Sequence, residues 1–194
     1  DWRGTHCIGS LAPSDARTGL TTIQDALLDA TRALGATIVY REARLQAELL
    51  LAHALDTSRA LMLARLDEAI APDAAARYAG NVARRAQHEP LAYILGHQEF
   101  YGLNFMVDRR VLIPRHETET LAQLALERAR RFAAPVSVDV GTGSGALALT
   151  LAYHLPQAHT FALDLSPDAL VVARMNAERW HLNSRVEFLP SDLL

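Results

Sequence analysis

What the chain lacks narrows the field first. It has one cysteine in 194 residues, Cys7, so no internal disulfide can form. That cysteine lies in residues 1–20, "DWRGTHCIGSLAPSDARTGL", which begin without methionine and show no stable periodicity. The segment reads as a disordered tail or upstream extension, and Cys7 as an incidental free thiol. No apolar run reaches the roughly 18 residues of a membrane span, and no basic, apolar and small-residue succession marks a signal peptide. The expectation is a cytoplasmic protein without a membrane segment. Nor is there an excess of one charge: the formal net charge is −3, with no whole-chain basic field to draw nucleic acid. The local run Arg128, Arg130, Arg131 reads as a solvated helix end, where cations suit the negative end of the dipole. What is present is ordinary globular stock, 50% hydrophobic and 21% charged, in a length that suits one large or two small domains.

Residues 21–90 carry helical signals. In "TTIQDALLDATRALG", Thr22 followed by Asp25 makes a capping start, Gly35 a stop, and Ile23, Ala26, Leu27, Ala30 and Leu34 an apolar face. "REARLQAELLLAHALD" predicts a second face of Leu45, Leu49, Ala52 and Leu55; "TSRALMLARLD" and the Pro72-led "PDAAARYAGNVARRAQHE" add two more helices. Such short helices bury their stripes only against one another, which predicts a small bundle. His53 has no partner at metal spacing and reads as a packing or surface histidine. From 91 to 115, "HQEFYGLNFMVDRRVLI" is rich in β-formers and broken at Gly102, which predicts a hairpin linker. From 116 to 194 the order is an acid-led helix with Leu121, Leu124 and Ala125 at helical spacing, then β-α-β-α-β. The fold class is therefore α/β: a helical bundle, a hairpin, and the first half of a Rossmann-like doubly wound sheet, with its ligand cleft at the carboxyl ends of the strands.

The densest signal is "VDVGTGSGALALTLA", residues 136–150, where Gly141, Thr142, Gly143, Ser144 and Gly145 join a strand to a helix. Glycines at alternate places permit a tight turn, and the helix beyond offers unpaired N–H groups to a ligand. With Ala146 the run fits the relaxed dinucleotide fingerprint G-x-G-x-x-G/A, and Asp164 ends the next strand where an acid holds a ribose diol, so an NAD(P)-dependent oxidoreductase is one reading. Asp139, two places before the first glycine, argues against a diphosphate, which would meet a carboxylate at short range. S-adenosyl-L-methionine, with an ammonium and a sulfonium, would welcome it. On that reading the turn takes the methionine portion, Asp139 the amino group and Asp164 the ribose. Ser191, Asp192 and Leu193, at the third strand end, edge and cover adenine. Asp139 as a simple turn cap remains an alternative, as does Asp192 as a loop acid or helix cap.

The succession "PLAYILGHQEFYGLNFMVDRRVLIPRHETETL", "VDVGTGSGALALTLA", "ALDLSPDALVVARMNA" resembles the peptide chain release factor glutamine N5-methyltransferases, class I methyltransferases with a helical N-terminal domain. "GHQEFYGL" with "LIPRHETE" is the more specific part; His116 stands where the family usually has proline. The resemblance implies methyl transfer from S-adenosyl-L-methionine to the side-chain amide of the GGQ glutamine of a release factor, by a monomer whose helical domain docks that partner. It also implies Phe100 as a wall for the substrate glutamine, against a plain hairpin-core role, and Arg115 near the cofactor. The family's Asn-Pro-Pro-Tyr segment, which holds the amide nitrogen, has no counterpart here: none of the eight prolines is adjacent to another. The expectation is a fragment, inactive alone, with strand "VSVDV" left as an apolar edge. A non-catalytic remnant acting as a binding module is the further alternative.

Overall fold

The computed structural model describes residues 21–193; the expectations for residues 1–20, Cys7 included, lie outside them. The chain divides into two compact units, one ending at Glu89 and one beginning at Pro90.

The first unit is a helical bundle of α1 (Ile23–Gly35), α2 (Tyr40–Ala54), α3 (Arg59–Leu63) and α4 (Pro72–Ala86). Thr22 caps α1 by accepting the Asp25 N–H at 3.2 Å, as the capping pattern predicts, and Ile23, Leu27, Ala30 and Leu34 are buried. On α2 the buried stripe differs from the predicted one. Ala52 of that stripe is buried, but it is joined by Ala43, Ala47, Leu50, Leu51 and Ala54, and Leu45 is exposed. Alanines on the inner side let α1 and α2 approach closely, so the size of a residue misleads about which side faces in. Tyr78 of α4 is buried and donates to the Ala47 carbonyl at 3.2 Å; burial pushes its phenol well above the usual value. His53 is exposed.

Glu48 is the one charged side chain in the buried set of this unit's described residues, at 7% side-chain exposure, and it bridges Arg44 (2.6 Å) and Arg59 (2.6 Å). It ties the short α3 to α2. Both arginines reach solvent, so losing the carboxylate strands neither in a dry interior. Glu48→Gln is expected to cost about 1–2 kcal/mol, read as a lower urea midpoint with an unchanged m value.

The second unit holds α5 (Leu91–Leu95), the hairpin β1 (His97–Phe100) and β2 (Leu103–Met106), then α6 (His116–Ala129), β3 (Val136–Val140), α7 (Ala146–His154), β4 (His159–Asp164), α8 (Pro167–Arg179) and β5 (Val186–Pro190). The hairpin turns on Tyr101 and Gly102, both left-handed (φ 51° and 77°), which is the two-residue turn that matches strand twist. A tyrosine there is held: its N–H donates to Glu119 of α6 at 3.1 Å, and its ring meets His154 edge-on at 5.4 Å. The hairpin contributes to this unit's core, where Phe100, Leu103 and Phe105 pack with Ala148, Leu149, Ala152 and Ala177.

β3, β4 and β5 form a parallel sheet in that order. Alternate residues face opposite sides. Ala162, Val186 and Phe188 enter the core with α7 and α8, while Val136 (68% exposed), Val138 and Val140 line the other face and Leu189 lies exposed beyond them. Among the described residues β3 is an edge of the sheet. Beside it runs a groove of about 370 Å³ lined by Ala125, Phe132, Val136, Leu151 and Leu155 among others. α6 also departs from the predicted stripe: Leu121 and Leu124 are exposed, and Ala122 and Leu126 are buried. No described helix is long and apolar enough to cross a membrane.

Candidate functional site

The site is built at the carboxyl end of β3. The chain leaves the strand through three left-handed glycines, Gly141 (φ 74°), Gly143 (φ 56°) and Gly145 (φ 81°), and enters α7 at once. Two consecutive N–H groups, of Gly141 and Thr142, donate to the Leu163 carbonyl at 2.8 Å each, so the turn is stitched to β4. The glycines differ in what surrounds them. A Cβ on Gly141 or Gly143 would point into open space, whereas one on Gly145 would come within 2.9 Å of Leu149 Cδ1 and 3.3 Å of Ala173 Cβ. Gly145 serves packing, and the other two leave an open cradle for a ligand to approach the backbone.

Two carboxylates flank that cradle. Asp139 Oδ2 accepts from Thr142 Oγ1 at 2.7 Å and from the Ala148 N–H at 3.2 Å. Burial pushes its carboxyl above the ordinary 3.8; the two hydrogen bonds pull it back, and the nearby Asp164 carboxylate adds to the rise. Asp139 thus does cap the turn, through one oxygen. Asp164 accepts the Gly143 N–H at 2.8 Å on Oδ2 and the Ser166 N–H at 2.9 Å on Oδ1, which fixes it between the turn and the start of α8. A carboxylate has about four acceptor directions, so Asp164 keeps capacity for two hydroxyls.

The third strand end is drawn in through its backbone: the Ser191 N–H donates to the Asp164 carbonyl at 3.1 Å. Asp192 and Leu193 follow, both exposed. The other candidates do not converge on the turn. Phe100 is 1% exposed and packs edge-on against Phe105 at 6.2 Å, a core position rather than an accessible wall. Arg115 is exposed at the N-cap of α6 with no hydrogen bond to the turn, and His116 is exposed beside Glu119 at 3.6 Å. Sequence reasoning passed over Asn176, which donates to the Ser144 carbonyl inside the turn. Its signal was a polar residue on the apolar stripe of α8 formed by Ala169, Val172, Ala173 and Ala177.

The chain also has known relatives. The model of the PrmC N-terminal domain matches residues 25–96, and that of ribosomal protein L11 methyltransferase matches residues 114–194. The release factor glutamine methyltransferase of Moorella thermoacetica is 47% identical over 173 residues, 89% of this chain and 61% of that protein. Its namesake in Koribacter versatilis is 48% identical over 151 residues, 78% of this chain and 53% of that protein. The chain therefore spans between about half and three fifths of the length of these relatives. Among solved structures, an S-adenosylmethionine-dependent methyltransferase from Thiobacillus denitrificans in complex with S-adenosyl-L-homocysteine is 25% identical, at TM-score 0.33 over 37% of this chain and 28% of that one. Likeness to the curated release factor glutamine methyltransferases thus runs through both units of the chain, at close to half of the aligned residues identical.

Proposed function

We propose that this chain binds S-adenosyl-L-methionine at the β3–α7 turn and belongs to an enzyme that methylates the side-chain amide of a release-factor glutamine in the cytoplasm. The observation that carries the reading is the pairing of an open glycine cradle with a buried, cation-seeking carboxylate. Asp139 in that setting is matched by an ammonium and opposed by a diphosphate. In this reading Gly141 and Gly143 admit the amino-acid portion, Asp139 orients its ammonium, Asp164 accepts the ribose hydroxyls, and Asp192 with Leu193 borders the base. When bound, the cofactor supplies an activated methyl group on a sulfonium. The chain's own part is orientation: the strand ends hold the donor at a fixed angle before a nucleophile that is weak because its lone pair is delocalised. The family's amide-holding Asn-Pro-Pro-Tyr is not among these residues, so binding, without turnover, is the activity assigned to them. We further propose the helical unit as the release-factor docking domain and a monomeric state.

Calorimetry with S-adenosyl-L-homocysteine and with NADH tests the site. The homocysteine compound is expected to bind and NADH not. Asp164→Ala removes the ribose acceptor and releases the Gly143 N–H, and it is expected to weaken binding roughly 10- to 100-fold. NADH binding alone would establish the oxidoreductase reading, and binding of neither would leave a non-catalytic module.

A further inference from the structure

We propose that Asn176 is a positioning residue that couples the β1–β2 hairpin to the glycine turn, so that filling the turn stiffens the hairpin. It rests on the reading of the turn as a cofactor site. Asn176 is 0% exposed on an otherwise apolar helix face, where a polar side chain is costly unless its bonds are made. They are made, and to two places far apart in sequence. Asn176 Oδ1 accepts the Met106 N–H at 2.7 Å, and Nδ2 donates to the Met106 carbonyl at 3.0 Å. The carboxamide thus acts as a peptide group laid against β2, forming one rung of a ladder. Nδ2 also donates to the Ser144 carbonyl at 2.9 Å.

That second contact matters because of where Ser144 stands. Its carbonyl belongs to the peptide joining it to Gly145, with left-handed glycines on either side of Ser144. Glycines hold no such conformation by themselves, so the peptide plane is set by what grips it. Asp139 grips Thr142, Asp164 grips the Gly143 N–H, and Asn176 grips the Ser144 carbonyl. Of these three, Asn176 alone extends the hold to the hairpin. Val172 and Ala169 of the same helix pack on Val107 and Val111 just beyond β2, so the stretch leading from the hairpin is seated on α8 as well. A ligand that immobilises residues 141–145 is thereby expected to immobilise Met106.

The test is amide hydrogen exchange by NMR, with calorimetry, on the 194-residue chain. In the unaltered chain, S-adenosyl-L-homocysteine is expected to slow exchange at Met106 together with Gly143 and Gly145; a Met106 amide that ignores the ligand overturns the proposal. Asn176→Asp keeps the acceptor for Met106 but faces two carbonyls without a proton to give. It is expected to weaken ligand binding roughly tenfold and to abolish the Met106 response. Leu126→Ala, a core change elsewhere in the unit, supplies the comparison: it lowers Tm and is expected to leave affinity within about twofold. Equal affinity loss in both variants would show general destabilisation and overturn the assignment. Failure of the unaltered chain to bind would instead sink the cofactor reading. The ligand-free comparison would then decide the coupling, with Asn176→Asp expected to speed exchange at both Met106 and Gly145, and unchanged rates overturning it. Where Asn176→Asp does not fold, the response of Met106 in the unaltered chain decides alone.

Discussion

Gly145→Ala is expected to cost about 2–4 kcal/mol of stability, whereas Gly143→Ala costs about 1–2 kcal/mol and removes ligand binding. Both substitutions place a side chain on a left-handed residue, and that penalty is common to them. They part at the Cβ. At Gly145 it meets Leu149 Cδ1 at 2.9 Å and Ala173 Cβ at 3.3 Å, and Leu149 is itself fully buried, so relief requires the α7–α8 packing to shift. At Gly143 it meets nothing, and it stands where a ligand would lie against the backbone. Thermal unfolding by circular dichroism is expected to show a Tm drop of roughly 5–15 °C for Gly145→Ala and a smaller one for Gly143→Ala. Calorimetry with S-adenosyl-L-homocysteine gives the complementary reading: Gly143→Ala folds and does not bind. Unimpaired binding by that variant would mean that the ligand keeps clear of the turn.

The same contrast shows how far a sequence can be read. Three alternate glycines between an apolar strand and an apolar helix announce the turn, because glycine adopts a left-handed backbone at least cost and a crossover helix explains the next segment. Asp139 and Asp164 near successive strand ends are legible for the same reason: Asp139 lies opposite Ala162, two residues short of Asp164 on the neighbouring strand, and that even spacing puts both on one face of the sheet. What each oxygen does is not legible. Asp139 spends one on Thr142 and Ala148, a bond set by how tightly the turn closes. Helix existence followed from caps and periodicity at α1, yet the inward face of α2 did not. Its alanines pack inside while Leu45 stays out, since proximity of helix axes, decided by the partner, overrode hydrophobicity. On α6, Leu121 and Leu124 form a stripe that the described residues leave uncovered, and the valines of β3 are exposed as well. Parallel sheets are ordinarily covered on both faces, so periodicity there anticipates packing that these residues do not themselves make. The aromatic pattern of the hairpin does not say how deeply Phe100 is buried, which depends on the helices packed against it. Asn176 lies 70 residues from Met106 and 32 from Ser144, separations at which no local pattern speaks.

Asp139→Asn is expected to stabilise the chain at neutral pH while weakening its hold on S-adenosyl-L-homocysteine roughly 10- to 100-fold, the loss of a charge-assisted bond to an ammonium. The substitution retains a carbonyl oxygen for Thr142 and Ala148, so the turn keeps its cap. What it removes is a negative charge that burial opposes. Because the native carboxyl is raised above its unfolded value of 3.8, the folded state holds its proton more tightly, and stability falls as pH climbs from that value through the raised native one. Above that window the penalty is constant, and the asparagine variant escapes it. A Tm profile across acid to neutral pH is therefore expected to fall less, or rise more, for Asp139→Asn than for the parent. Binding runs in the opposite sense. The parent carboxylate must be ionised to meet an ammonium, so its affinity drops as pH falls through the raised native value, whereas the variant's weaker affinity stays flat across the same window. A parent whose affinity is flat there, with a variant that binds equally well, would show that Asp139 only caps the turn and that the ligand's cation is met elsewhere.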